Sequence, residues 1–113
     1  MRRTVFSTLV MIGLMAGTAT AQTSVPVEHG KKVYAAEKCS ACHSIAGAGN
    51  KKGPLDAVGS RLTAAEIDQW IVSAPAMTAK TKSARKPAMK SYPNIVKADR
   101  DALVAYLHSL KKS

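Results

Sequence analysis

Cys39-Ser40-Ala41-Cys42-His43 is the stretch on which the reading of this chain turns. Two cysteines separated by two residues and followed at once by histidine have the spacing of a covalent haem attachment. The chemistry explains the spacing. Each thiol can add to one haem vinyl group, which gives two thioether bonds. The histidine next in the chain is then held against the ring, where its imidazole can bind the iron.

Three other uses of these residues are weaker. A redox dithiol of the C-x-x-C kind expects a βαβ context, and no strand alternation is visible anywhere in the chain. A tetrahedral zinc site needs a fourth ligand and usually a second paired cluster. Beyond His43 only His29 and His108 remain, neither at a paired spacing, and both read as solvated surface residues. A structural disulfide between Cys39 and Cys42 would leave His43 without a role.

Outward from the motif, the 113 residues and two cysteines imply one small domain. Its start has the pattern of a secretory signal. Arg2 and Arg3 precede a mostly apolar run from Val5 to Gly17, and Ala19-Thr20-Ala21 matches an A-x-A cleavage site. The run falls short of the roughly 20 residues that span a bilayer. Residues 1–21 are therefore expected to be cleaved before Gln22, leaving 22–113 as the domain, with no stable membrane span; the alternative is that they stay on as an uncleaved membrane anchor. Haem is attached to such motifs after export, so the expected compartment is the periplasm.

Cleavage would leave 92 residues, a size that buries only about 60–65% of the surface its unfolded chain exposes. Tyr34, Trp70, Tyr92 and Tyr106 would be the remaining aromatics. A bound haem would supply the missing apolar mass, so the chain without it is expected to fold poorly. Cleavage would also remove Arg2 and Arg3, leaving 15 basic against 7 acidic residues. Such a charge bears on partners and encounter rates rather than on fold. An exported protein has little chance to meet nucleic acid; an acidic redox partner or an anionic surface suits it better.

Six segments have readable structure. Gln22 to Val27 reads as a short extended lead containing Pro26, and a helix is expected from about Glu28 to Lys38 on the spacing of Val33, Tyr34 and Glu37. Gly30 lies one turn before Tyr34, where a glycine often admits a second backbone. After His43 a turn-rich loop runs from Ala46 to Pro54. It is no phosphate-binding loop, because no strand precedes it and no Gly-Lys-Ser/Thr closes it. Thr63-Ala64-Ala65-Glu66 is a capping box, which predicts a helix from Ala64 to about Ser73, ended by Pro75. The stretch from Ala76 to Asn94 reads as a long irregular loop bearing Lys80, Lys82, Arg85, Lys86 and Lys90. A last helix is expected from about Ala98 to Lys111, with Leu103, Tyr106, Leu107 and Leu110 on one face. Asp99 and Asp101 at its start and Lys111 and Lys112 at its end suit the helix dipole.

Over residues 28–112 the chain resembles the small soluble class I c-type cytochromes. Gly30, Val33 and Tyr34 look like that family's first helix, which crosses the last through Leu103, Tyr106 and Leu107. Gly53-Pro54-Leu55 looks like its Gly-Pro-x-Leu loop, which implies that the Pro54 carbonyl accepts a hydrogen bond from the axial imidazole. The resemblance makes Trp70 an aromatic lining the haem on the sixth-ligand side. It makes Lys86 to Pro93 the methionine-bearing loop, although proline does not directly follow Met89 as it often does in the family.

What the resemblance implies is an all-α fold of three to five short helices around one covalent haem c. Cys39 and Cys42 would carry the thioethers, His43 and Met89 would be the axial iron ligands, and Pro54 and Trp70 would complete the pocket. Reach agrees on the methionine. After cleavage only Met77 and Met89 remain, and Met89 lies far enough beyond Pro75 for the loop to carry its sulfur to iron. The expected function is one-electron transfer, not catalysis. The expected partners are acidic redox proteins, a periplasmic dehydrogenase, a terminal oxidase or both, met as a monomeric shuttle or from within a redox complex. Two alternatives stay open: a dedicated haem subunit of a periplasmic dehydrogenase, and a catalytic or ligand-sensing haem protein with an open sixth site.

Overall fold

Helix α1 (Val25–Ala36) opens the computed structural model, which describes residues 25–113 together with Gly17. The expected signal segment and its cleavage point otherwise lie outside the described residues. α1 starts earlier than its spacing suggested. Pro26 sits in its first turn, where a missing backbone N–H leaves no hydrogen bond unmade. Past Ala36, Lys38 takes a left-handed conformation at φ 54° and turns the chain into a short 3-10 turn, Cys39–Ala41. Cys42 and His43 both donate their backbone N–H to the Cys39 carbonyl, at 3.1 and 2.9 Å. The attachment motif is thus wound on itself before the chain moves on.

A two-residue hairpin follows, which the sequence reading did not anticipate. β1 (Ser44–Ile45) pairs antiparallel with β2 (Ala48–Gly49). Ala46 and Gly47 both have positive φ, 50° and 78°, the backbone that a two-residue hairpin turn requires. The chain returns through Gly53 and Pro54 alongside Ser44, whose backbone bonds to Gly53 and Leu55 at 3.1 and 2.9 Å. This clamp positions Gly53 beside His43.

The remaining helices are α2 (Val58–Arg61), α3 (Ala64–Val72), α4 (Ala74–Thr81) and α5 (Lys97–His108). The capping box that starts α3 is made as expected: Glu66 N–H donates to Thr63 Oγ1 at 3.1 Å, and Thr63 N–H donates to a Glu66 carboxylate oxygen at 3.2 Å. α4 corrects the sequence reading. Pro75 does not open an irregular stretch; it occupies the first turn of a second helix, where its fixed φ suits the start. The irregular segment therefore begins only at Lys82, which closes α4 at φ 53°.

The core forms where α1 and α3 pack on α5. Val33, Ile67, Ile71, Leu103, Tyr106 and Leu107 are buried there with Val58 of α2. Gly30 lets α1 and α5 cross: a Cβ in its place would collide with the Ala102 carbonyl and sit 2.6 Å from Tyr106 Cβ. The Tyr34 and Tyr106 rings meet edge to face, 5.9 Å apart at 81°. The anticipated face of the last helix is buried at Leu103, Tyr106 and Leu107 and half-buried at Leu110. The all-α class holds: the regular elements among the described residues are five α-helices, one 3-10 turn and one short hairpin.

Candidate haem site

His43 is half-buried in the wall of a cavity of about 340 Å³, within the range of small-molecule sites. Leu55, Val58, Ile67, Ile71, Leu103 and Leu107 supply much of its lining. Its Nδ1 bonds to the Gly53 carbonyl at 3.0 Å. The carbonyl can only accept, so Nδ1 carries the hydrogen and Nε2 keeps its lone pair. Burial holds this imidazole below the ordinary histidine range; the Gly53 bond opposes that shift and the Arg85 guanidinium adds to it. A neutral imidazole with a free Nε2 is a metal ligand of fixed orientation.

Here the acceptor expected at Pro54 is corrected to Gly53. The Gly53 carbonyl is already turned toward the motif by its bond from Ser44 N–H. Pro54 is exposed and bridges to Ser44 outside the cavity lining.

Cys39 stands on the cavity wall, and Cys42 is exposed one turn away; both are free thiols. Burial, with Glu37 adding to it, pushes the Cys39 thiol up to about 11, so it stays protonated at neutral pH. Among the described residues no three His, Cys, Asp or Glu side chains converge as a metal cluster.

Trp70 and Met89 line the same cavity as His43. Met77 does not: it is buried in α4 as a packing residue. The segment carrying Met89 is fixed just downstream. Ser91 Oγ accepts from Ala74 N–H at 3.0 Å, and Tyr92 N–H donates to the Ile71 carbonyl at 2.7 Å. Of the five cations in this region, Lys80, Lys82, Lys86 and Lys90 are exposed, whereas Arg85 is half-buried and turns toward the attachment motif. Sequence reasoning counted Arg85 with the others, because a run of charges carries no sign of which side chain turns inward. His29 is exposed, as expected, and pairs with Asp99 at 2.7 Å; His108 is half-buried, 3.2 Å from Lys111 Nζ.

A thiol and an imidazole in the wall of an apolar cavity, with a second, exposed thiol one turn away, are the groups for a haem held by thioethers and by iron coordination, and the fold around them is that of a c-type haem protein. The chain belongs to the Cytochrome c family, whose pattern it matches over residues 27–111, as a class I c-type cytochrome. Its cofactor is a covalently bound haem c with iron. It is 26% identical over 106 residues to a protein named cytochrome c oxidase subunit 2 from Alkalihalophilus pseudofirmus. That match covers 86% of this chain and 29% of the relative. No solved structure matches the chain.

Proposed function

We propose that this protein is a periplasmic one-electron carrier, not an enzyme, with its haem iron held between His43 and Met89. The observation that carries this reading is one apolar cavity bringing together Cys39, His43 and Met89, with His43 Nδ1 already committed to Gly53. The haem, when bound, supplies Fe(III)/Fe(II) cycling. The protein's own parts hold it. Gly53 orients His43, Ser91 and Tyr92 fix the loop that offers Met89, and the aliphatic lining gives the haem an apolar bed. A thioether sulfur is a soft, neutral donor that serves both oxidation states, and His/Met ligation raises the reduction potential. An electrochemical titration tests the function: one reversible wave with a positive midpoint and a slope of about 59 mV per tenfold change in the ratio, as one electron requires. A catalytic current with peroxide or another small substrate would speak for the open-site alternative.

Export is supported by the N-terminal pattern of Arg2, Arg3 and Ala19-Thr20-Ala21, and no helix among the described residues is long and apolar enough to cross a membrane. The mature protein is expected to have the mass of residues 22–113 plus one haem; a mass that retains residues 1–21 would refute the cleavage.

For partners, the exposed Lys80, Lys82, Lys86 and Lys90 lie on the segment that borders the cavity. They suit an acidic redox protein. The likeness to an oxidase subunit favours a terminal oxidase on the accepting side, and a periplasmic dehydrogenase is the matching donor, with the chain as shuttle or as its haem subunit. Steering by such a face raises association rates about 10-fold or more at low salt and is largely screened near 0.15 M, where the Debye length is about 8 Å. Electron-transfer rates with the native partner should therefore fall steeply as salt rises, and Lys86→Glu with Lys90→Glu should remove much of the low-salt advantage. A flat salt profile would show that this face does not dock.

A further inference from the structure

Arg85 is the one cation of the basic loop that the docking face does not use. Its Nη2 donates a hydrogen bond to the Cys42 carbonyl, and its Nη1 lies 3.5 Å from His43 Nδ1. Gly53 leaves room for it, since a Cβ there would collide with both guanidinium nitrogens and with the Cys42 carbonyl. The hydrogen on Nδ1 is already given to the Gly53 carbonyl, so the guanidinium beside it acts as a fixed charge. That charge is permanent, because guanidinium does not deprotonate in proteins.

We propose that Arg85 is a positioning residue for the redox centre: its guanidinium, held against the His43 ring by the Cys42 carbonyl, raises the reduction potential of the iron that His43 binds. The inference rests on His43 as axial ligand. Reduction adds one electron to the iron and so cancels one positive charge at the centre. A cation beside the axial imidazole opposes the ferric form more than the ferrous form. It also draws electron density from the ring, against the push supplied by the Gly53 carbonyl. Being half-buried, it is screened less by salt than the exposed lysines are.

The test compares the haem-loaded full protein with Arg85→Gln, Arg85→Lys and Lys52→Gln, the last an exposed lysine beside Gly53 outside the docking face. At one electrode poise, with the electrode as electron source, the Fe(II)-to-Fe(III) ratio of Arg85→Gln is expected to fall about tenfold, or about 59 mV for one electron. Arg85→Lys, which keeps the charge, should recover most of that shift. Lys52→Gln should change the ratio by less than about twofold, an effect that vanishes at 1 M salt, where the Debye length is about 3 Å, while the Arg85→Gln shift persists. Should Arg85→Gln fail to load haem, Arg85→Met set against Arg85→Lys carries the same comparison. An Arg85→Gln potential equal to wild type, or one that shifts like Lys52→Gln and disappears with salt, overturns the inference while leaving the ligand assignment standing. Loss of the methionine–iron band in Arg85→Gln also overturns it, since Arg85 would then act by holding the loop. If the wild type itself shows no histidine-ligated haem, the ligand assignment falls first and the inference with it.

Discussion

Replacing Met89 with alanine is expected to abolish the methionine–iron charge-transfer band, lower the reduction potential and open the iron to carbon monoxide. Met89 lines the haem cavity, and the chain is anchored two and three residues further on by Ser91 and Tyr92. Alanine has no atom to offer the iron, and those anchors leave the loop little freedom to bring another donor. Loss of a sulfur ligand that favours the ferrous form moves the potential down. The comparison variant is Met77→Ala. Met77 is buried in α4 away from the cavity lining, so its removal should cost about 2–5 kcal/mol of stability and leave the spectrum intact. A Met77 variant that loses the band while the Met89 variant keeps it would reverse the assignment.

The second large effect concerns the haem as part of the core. Changing Cys39 and Cys42 together to alanine removes both attachment points and should yield a chain without covalent haem. Left empty, a cavity of about 340 Å³ at about 24 cal/mol per Å³ corresponds to roughly 8 kcal/mol. A small domain has only about 5–15 kcal/mol in total. Collapse of the walls or entry of water lowers the cost, but it also loosens the packing of Ile67, Ile71, Leu103 and Leu107 that the cavity interrupts. The variant is expected to lose its cooperative thermal transition and most of its near-ultraviolet dichroism. A sharp melt close to that of the haem-loaded protein would mean that the core stands without the cofactor.

What could be read from the sequence was whatever depends on neighbours in the chain. The attachment motif is one such feature, because vinyl addition and axial ligation need residues at fixed short spacing. The capping box at Thr63 and the buried face at Leu103, Tyr106 and Leu107 are others. Features decided by distant contacts or by very short elements were not legible. Pro75 reads as a stop because proline ends helices, yet it equally suits a first turn, and α4 is built on that second use. The hairpin of Ser44–Ile45 with Ala48–Gly49 is too short for any alternation to show. Whether the Gly53 or the Pro54 carbonyl meets His43 depends on how Ser44 clamps the returning chain, which no local pattern records. The inward turn of Arg85 depends on room at Gly53, thirty-two positions away in the chain.

The most direct test of the central claim is the absorption spectrum of the purified haem-loaded protein, taken ferric and then ferrous with carbon monoxide added. A carrier closed by His43 and Met89 should show the methionine–iron band at the red edge of the ferric spectrum and no rapid spectral change with carbon monoxide. A ferric spectrum without that band, together with rapid carbon monoxide binding by the ferrous form, would contradict the account and make the protein one with an open sixth site.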